Sequence, residues 1–183
     1  NLGYITGIMS DAVSVVDLDT GSLKRTFYLT DHVQATKKLA FDPVHRQLWA
    51  VANKREAFLW LVDPATETVL NSRDIREDIS ENANSYPIRD VTVDPQSQQL
   101  YTLLSDVQGN RVVVYDTTLQ IVDELLVGRA IVDIEWDVER NILVALSAPT
   151  PNTGQPAQVL LLPNGSETDQ QTFTPDVTSS LSP

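Results

Sequence analysis

The chain has 183 residues, enough for one domain with its own core, and 42% are hydrophobic, which argues against wholesale disorder. Thirteen Lys and Arg against 25 Asp and Glu leave a net charge of −12, a balance that opposes general binding to nucleic-acid phosphates or anionic lipid. Cysteine is absent, which excludes disulfides, thiolate nucleophiles and cysteine-ligated zinc, and no apolar run approaches the roughly 18 residues that a membrane span needs. The chain opens at Asn1 with neither Met nor a signal peptide, as a processed or cut form does. A secreted or periplasmic location is expected, with the cytoplasm left open.

The predicted elements are short strands closed by turns. Leu2-Gly3-Tyr4-Ile5-Thr6 reads as a strand that starts just after a turn, and Val13-Ser14-Val15-Val16-Asp17 as the next, ending at the turn Asp19-Thr20-Gly21. A strand running into Phe41-Asp42-Pro43 is followed by Gln47-Leu48-Trp49-Ala50-Val51-Ala52-Asn53, then by Leu59-Trp60-Leu61-Val62-Asp63 and the turn Asp63-Pro64-Ala65-Thr66. The order returns with Val93-Asp94-Pro95, Gln99-Leu100-Tyr101-Thr102-Leu103-Leu104-Ser105 and Val112-Val113-Val114-Tyr115-Asp116. It returns again with Trp136-Asp137-Val138, Asn141-Ile142-Leu143-Val144-Ala145-Leu146-Ser147 and Val159-Leu160-Leu161-Leu162-Pro163.

Asp42, Asp94 and Asp137 mark a repeat with steps of 52 and 43 residues. A period of about 40–50 residues built from four short strands is that of a propeller blade. The third strands are apolar on both faces, so both faces must be covered, and blades stacked about 10 Å apart would cover them. The expected fold is therefore all-β, a β-propeller of four-stranded antiparallel blades, with about four blades' worth present. A sandwich or closed barrel has no reason to repeat Asp-Pro ahead of Leu-aromatic. The blades are expected within 1–163, as a partial first blade at 1–30 and blades at 37–75, 88–127 and 131–174. Residues 164–183 are either a tail or a closing inner strand. The second option rests on Pro87-Ile88-Arg89-Asp90-Val91-Thr92-Val93-Asp94-Pro95, echoed by Pro175-Asp176-Val177-Thr178-Ser179-Ser180-Leu181-Ser182-Pro183.

The pattern apolar-x-Val-x-Asp, then Pro-x-x-Val-x-Val-Asp-Pro followed by Leu-Tyr, resembles the YVTN-repeat β-propellers. These belong to a wider lactonase-like and quinoprotein amine dehydrogenase-like group with seven blades. The resemblance covers residues 2–162 and, weakly, 175–183. It departs from the family at the Pro-Asp-Gly turn, which stands here as Asp42-Pro43-Val44-His45, Asp94-Pro95-Gln96-Ser97 and Asp137-Val138-Glu139-Arg140, and through an insertion at 76–85. The resemblance implies a fold shared by binding proteins, surface proteins and enzyme subunits. Seven such blades would need about 300 residues. The chain is thus expected to be part of a longer propeller, half of a dimeric ring, or a self-closed four-bladed form.

Sites for chemistry are sparse. Asp17-Leu18-Asp19-Thr20-Gly21 lacks the remaining ligands of a calcium loop, and the recurrence of Asp17, Asp63 and Asp116 at strand ends reads as turn stabilisation. His32 and His45 do not make a metal-ligand spacing, and His45 reads as a solvated turn residue. The aromatic residues Trp49, Trp60, Tyr101, Tyr115 and Trp136 are expected between blades, and Asn164-Gly165-Ser166 as a turn rather than a glycosylation site. No catalytic residue, metal or cofactor is expected.

One constellation remains. Lys37 and Arg89 share a register on the approach to Asp-Pro, Arg129 lies on the equivalent approach, and Asp90 and Asp133 share the next position. At the mouth of a channel the cations could form an anion-attracting ring, or could pair with the aspartates across blades. The expected function is a noncatalytic binding module that takes a protein partner or a small anionic ligand. The alternative is part of a propeller enzyme whose active site is not complete in this chain.

Overall fold

A computed structural model describes residues 1–7, 12–29, 36–52, 57–79, 88–106, 109–149, 156–168 and 170–174, with backbone only at 36, 37, 77 and 106. The strands form four antiparallel sheets in chain order. The first has three strands, β1 (Leu2–Thr6), β2 (Ala12–Asp17) and β3 (Leu23–Tyr28). The second comprises β4 (Thr36–Asp42), β5 (Gln47–Ala52), β6 (Phe58–Asp63) and β7 (Thr68–Asp74). The third comprises β8 (Ile88–Asp94), β9 (Gln99–Asp106), β10 (Gly109–Tyr115) and β11 (Ile121–Leu125). The fourth comprises β12 (Ile131–Asp137), β13 (Ile142–Ser147), β14 (Gln158–Pro163) and β15 (Gln171–Phe173). A 3₁₀ turn at Arg76–Asp78 leaves the second sheet.

The sheets stack face to face because their middle strands are apolar on both sides. Val13, Val15 and Phe27 of the first pack on Leu48, Ala50, Ala52, Trp60 and Val62 of the second. The opposite face of the second, with Trp49, Val51, Leu59 and Leu61, packs on Val91, Val93, Leu100, Val113 and Tyr115. Tyr101, Leu103, Val112 and Val114 then meet Ile134, Trp136, Leu143, Ala145, Leu160 and Leu162. Each tryptophan therefore lies in a different junction. The first strands β4, β8 and β12 lie side by side, which makes the blades of a propeller rather than the two layers of a sandwich.

The turns explain why the repeated aspartates recur. Asp42 Oδ1 accepts the Val44 and His45 amides at 2.9 and 3.0 Å, Asp94 Oδ1 accepts Gln96 N–H at 2.8 Å, and Asp137 Oδ1 accepts Arg140 N–H at 3.0 Å. Asp17, Asp63 and Asp116 do the same at the ends of third strands, taking the amides of Asp19, Ala65 and Thr118 at 2.9, 2.8 and 2.9 Å. The Lys24 ammonium, the Ala65 amide and the Thr118 hydroxyl are the largest influences that hold the Asp17, Asp63 and Asp116 carboxyls below 3.8. Because these values are lowered on folding, the stability they add is present above pH 3.8 and fades as pH falls through the lowered values.

Arg46, Gln98 and Asn141 follow the first-to-second-strand turns at the same place, with φ of 57°, 55° and 56°. This left-handed conformation is one glycine adopts without steric cost, and these three side chains hold it under strain. Gln98→Gly is expected to raise stability by up to about 1 kcal/mol in a urea titration, relief of the left-handed strain outweighing the added backbone entropy. Asn164 and Gly165, with φ of 53° and 67°, form a turn closed by Ser166 N–H to Pro163 O at 3.0 Å, the type I′ geometry that Asn-Gly favours.

Candidate functional site

The starts of β4, β8 and β12 form one wall, and each contains a bulge at the same place. Pairing shifts between Thr36 and Lys38, between Ile88 and Asp90, and between Ile131 and Asp133. The extra residues are Lys37, Arg89 and Val132. A bulge re-aims the side chains that follow it, so Lys38, Asp90 and Asp133 occupy equivalent positions on neighbouring strands.

These three residues meet. Lys38 Nζ lies 2.8 Å from Asp90 Oδ1, and the Asp133 carboxyl hydrogen-bonds to Asp90. Burial pushes the Asp90 carboxyl up, but the hydrogen bonds from Asp133 and Lys38 outweigh it and hold the group below 3.8. Asp133 is raised, first by its hydrogen bond to Asp90, then by burial and by the Asp90 charge. The two carboxyls titrate as a pair, with Asp133 the member that is raised. Glu135, on the same strand, is also raised, by partial burial first and then by Asp90 and Asp133. Deeper in the wall, Trp136 N–H donates to Thr92 Oγ1 at 3.0 Å and joins β12 to β8.

Of the five residues singled out from sequence, Asp90 and Asp133 are therefore brought together. Arg89 is exposed and makes no ion pair with another described residue. Arg129 is exposed in the turn between β11 and β12, where its N–H donates to Leu126 O at 3.2 Å. Lys37 is the bulge residue of β4, and its side chain lies outside the described residues. The lysine that reaches the aspartates is Lys38. Lys38, not Lys37, stands four residues before the aspartate of its turn, as Asp90 and Asp133 do.

The opposite shifts of Asp90 and Asp133 make a pH-dependent prediction. A carboxyl raised on folding opposes stability once pH exceeds its folded value, whereas Asp90, lowered on folding, adds stability above 3.8. Asp133→Asn keeps a hydrogen-bond donor toward Asp90 and removes the second charge. It is expected to raise the melting temperature at pH 7, with the gain shrinking as pH falls through the raised Asp133 value and Asp133 protonates in the parent protein.

His45 is an exposed turn residue, as expected, and its Nδ1 lies 2.8 Å from Oδ2 of the fully buried Asp42. Asp17, considered above as a calcium ligand, is occupied by its turn and by Lys24 Nζ at 2.9 Å. Among the described residues, His, Asp and Glu do not gather in threes in a way that could hold a metal ion, and no helix is long and apolar enough to cross a membrane.

A polar network invisible to sequence reasoning joins the second and third sheets. Asp78 accepts from Arg73 Nη2 at 2.7 Å through Oδ1 and from the Tyr115 hydroxyl at 3.3 Å through Oδ2. Its backbone carbonyl takes Arg111 Nη2 at 3.0 Å, and Arg111 Nε lies 3.6 Å from Glu124. The Tyr115 phenol is pushed up by burial and by the Asp78 charge. Separately, a cleft of about 380 Å³ lies between β9–β11 and the turn after β14, lined in part by Gln99, Tyr101, Val122, Asp123, Glu124 and Glu167.

Stacked four-stranded antiparallel blades around adjoining first strands define the chain as a β-propeller protein. Among solved structures it is similar to dihydro-heme d1 dehydrogenase NirN in complex with DHE, with a TM-score of 0.63 at 14% identity over 95% of this chain and 35% of that one. It is similar to the RRP9 WD40 repeats, with a TM-score of 0.63 at 12% identity over 94% of this chain and 47% of that one. It also resembles Kuenenia stuttgartiensis hydrazine synthase, with a TM-score of 0.59 at 18% identity over 87% of this chain and 49% of that one. The chain thus spans between about a third and a half of these proteins. No family model matches the sequence, and no curated protein matches it.

Proposed function

We propose that the chain is a noncatalytic propeller module of the YVTN-repeat kind, which takes an acidic protein segment or a small anionic ligand at the mouth formed by its first strands. The observation that carries this reading is the division of charges there. Lys38 is committed to Asp90, while Arg89 and Arg129 stand exposed on the approach and make no ion pair with another described residue. Exposed guanidinium groups offer paired donors to carboxylate or phosphate. WD40 repeats, which share the fold, favour an interaction role.

The reading is tested by following the Arg89 and Arg129 resonances while titrating citrate and, separately, an oligoglutamate peptide. Saturable shifts at both residues that weaken with salt are expected, together with shifts of the adjacent Asp90 and Ala130 amides that vanish in Arg89→Glu/Arg129→Glu. The absence of saturation with either probe overturns it.

A second reading, part of a propeller enzyme, is favoured by the raised carboxyls of Asp133 and Glu135, a feature of acid–base sites. It predicts turnover of a lactone substrate that is lost in Glu135→Gln and kept in Arg89→Glu.

A further inference from the structure

The cleft between the third sheet and the turn after β14 lies at β11, the strand of that sheet farthest from β8. Cross-strand pairing aligns Thr92, Tyr101, Val114 and Asp123 in one row that runs from β8 outward to β11. Paired residues share a face, and Tyr101 and Val114 pack on the fourth sheet, so Asp123 stands on that side too. Gln99, two residues before Tyr101, lies on the same face. Glu167 forms the opposite wall, and its Oε1 accepts the Leu126 amide at 2.9 Å, which ties the turn to the end of β11. The opening of about 380 Å³ is of the size that takes a small ligand.

Two observations give the cleft a ligand class. The first is charge. Asp123 and Glu167 make no ion pair with another described residue, and no lysine or arginine is among the described residues that line the cleft. Glu124 is turned to the other face, where it lies 3.6 Å from Arg111 Nε. The second is Tyr101, only 3% exposed, whose hydroxyl reaches the cleft. Its partner there, Gln99 Oε1 at 3.5 Å, is farther than an O–H···O hydrogen bond spans, and the Tyr101 oxygen accepts none from a described residue. Burial first, then the charges of Asp94 and Asp123, push the phenol up, so the hydroxyl stays protonated. A buried hydroxyl in this state costs stability unless something meets it.

We propose that the cleft binds a guanidinium group, held between the Asp123 and Glu167 carboxylates with the Tyr101 oxygen and the Gln99 carboxamide beneath it. A guanidinium presents its N–H donors in a planar fork and has no acceptor, which complements a lining of acceptors. A metal ion needs more oxygens at one point, and among the described residues no three His, Asp or Glu gather to hold one. The group comes either from a small guanidino compound or from the arginine of a peptide, which share this chemistry. This site is opposite in sign to the anion site at the first strands and does not depend on it.

Methylguanidine titrated into the 183-residue chain tests this, followed by calorimetry and by the Val122 and Ser166 amide resonances. Saturable binding that weakens with salt is expected. Asp123→Asn and Glu167→Gln are each expected to weaken it about tenfold, and Tyr101→Phe about threefold. Glu167→Gln keeps an acceptor for the Leu126 amide, so the turn stays anchored. Asp19→Asn, which removes an equal charge from the exposed turn of the first sheet, is expected to leave binding unchanged. Agmatine binding more tightly than the peptide Gly-Arg-Gly marks a small compound as the source, and the reverse marks a peptide. No saturation overturns the proposal. So does binding that methylammonium matches, that survives the cleft variants, or that Asp19→Asn weakens equally.

Discussion

Asp78→Ala is expected to cost about 2–3 kcal/mol, read as a lower urea midpoint at unchanged slope, because it removes the buried carboxylate that accepts from the Arg73 guanidinium and the Tyr115 hydroxyl. The Asp78 side chain is 7% exposed and that of Arg111 only 5%. The substitution removes acceptors from Arg73 and Tyr115 together and leaves Arg111 facing Glu124 at 3.6 Å. Replacing both members of the closest pair, as in Asp78→Ala/Arg73→Met, is expected to recover part of the loss, since an apolar pair no longer has to be desolvated as ions. A single-variant loss below about 1 kcal/mol, the level of an exposed pair, would contradict this placement of Asp78.

Gly165→Ala carries the second large effect. A Cβ there would lie 2.2 Å from the Tyr101 hydroxyl and 2.9 Å from Cζ, at a φ of +67°. Tyr101 cannot swing away cheaply. It is 3% exposed, and its ring lies 5.0 Å from that of Trp136. Overpacking of about 1–3 kcal/mol and left-handed strain of about 1–2 kcal/mol add in the same direction. Gly21→Ala separates the two terms, because its φ is +68° and nothing lies within 4 Å of the new Cβ. Tyr101→Phe should rescue Gly165→Ala in part, with a coupling of about 1 kcal/mol in a double-mutant cycle. No coupling would mean that the turn after β14 does not rest on the third sheet.

How far the molecule is readable without coordinates depends on the kind of signal each residue carries. The Asp-Pro register was legible because Asp42, Asp94 and Asp137 serve the same turn each time, and a repeated local need writes a repeated residue. The aromatic positions were legible for the same reason, and Trp49, Trp60 and Trp136 all lie in junctions between sheets. The bulges were not. Inserting one unpaired residue leaves Ile88-Arg89-Asp90-Val91 looking like ordinary strand, yet it moves the inward lysine from Lys37 to Lys38. The turn type was masked because Arg46, Gln98 and Asn141 stand in a conformation that sequence usually marks with glycine. Asp78 gave no signal, since a charged residue in an insertion reads as solvated until another sheet is placed over it.

The central claim is that four sheets stack in chain order, each through its own junction. The three tryptophans report the three junctions independently, so nuclear Overhauser contacts from their indoles are the most direct measurement. Contacts from Trp60 to Val13, Val15 or Phe27, from Trp49 to Val93, Val113 or Tyr115, and from Trp136 to Tyr101 are predicted. Contacts from Trp136 to Val13 or Phe27, which would fold the last sheet back on the first, would contradict the stacked order.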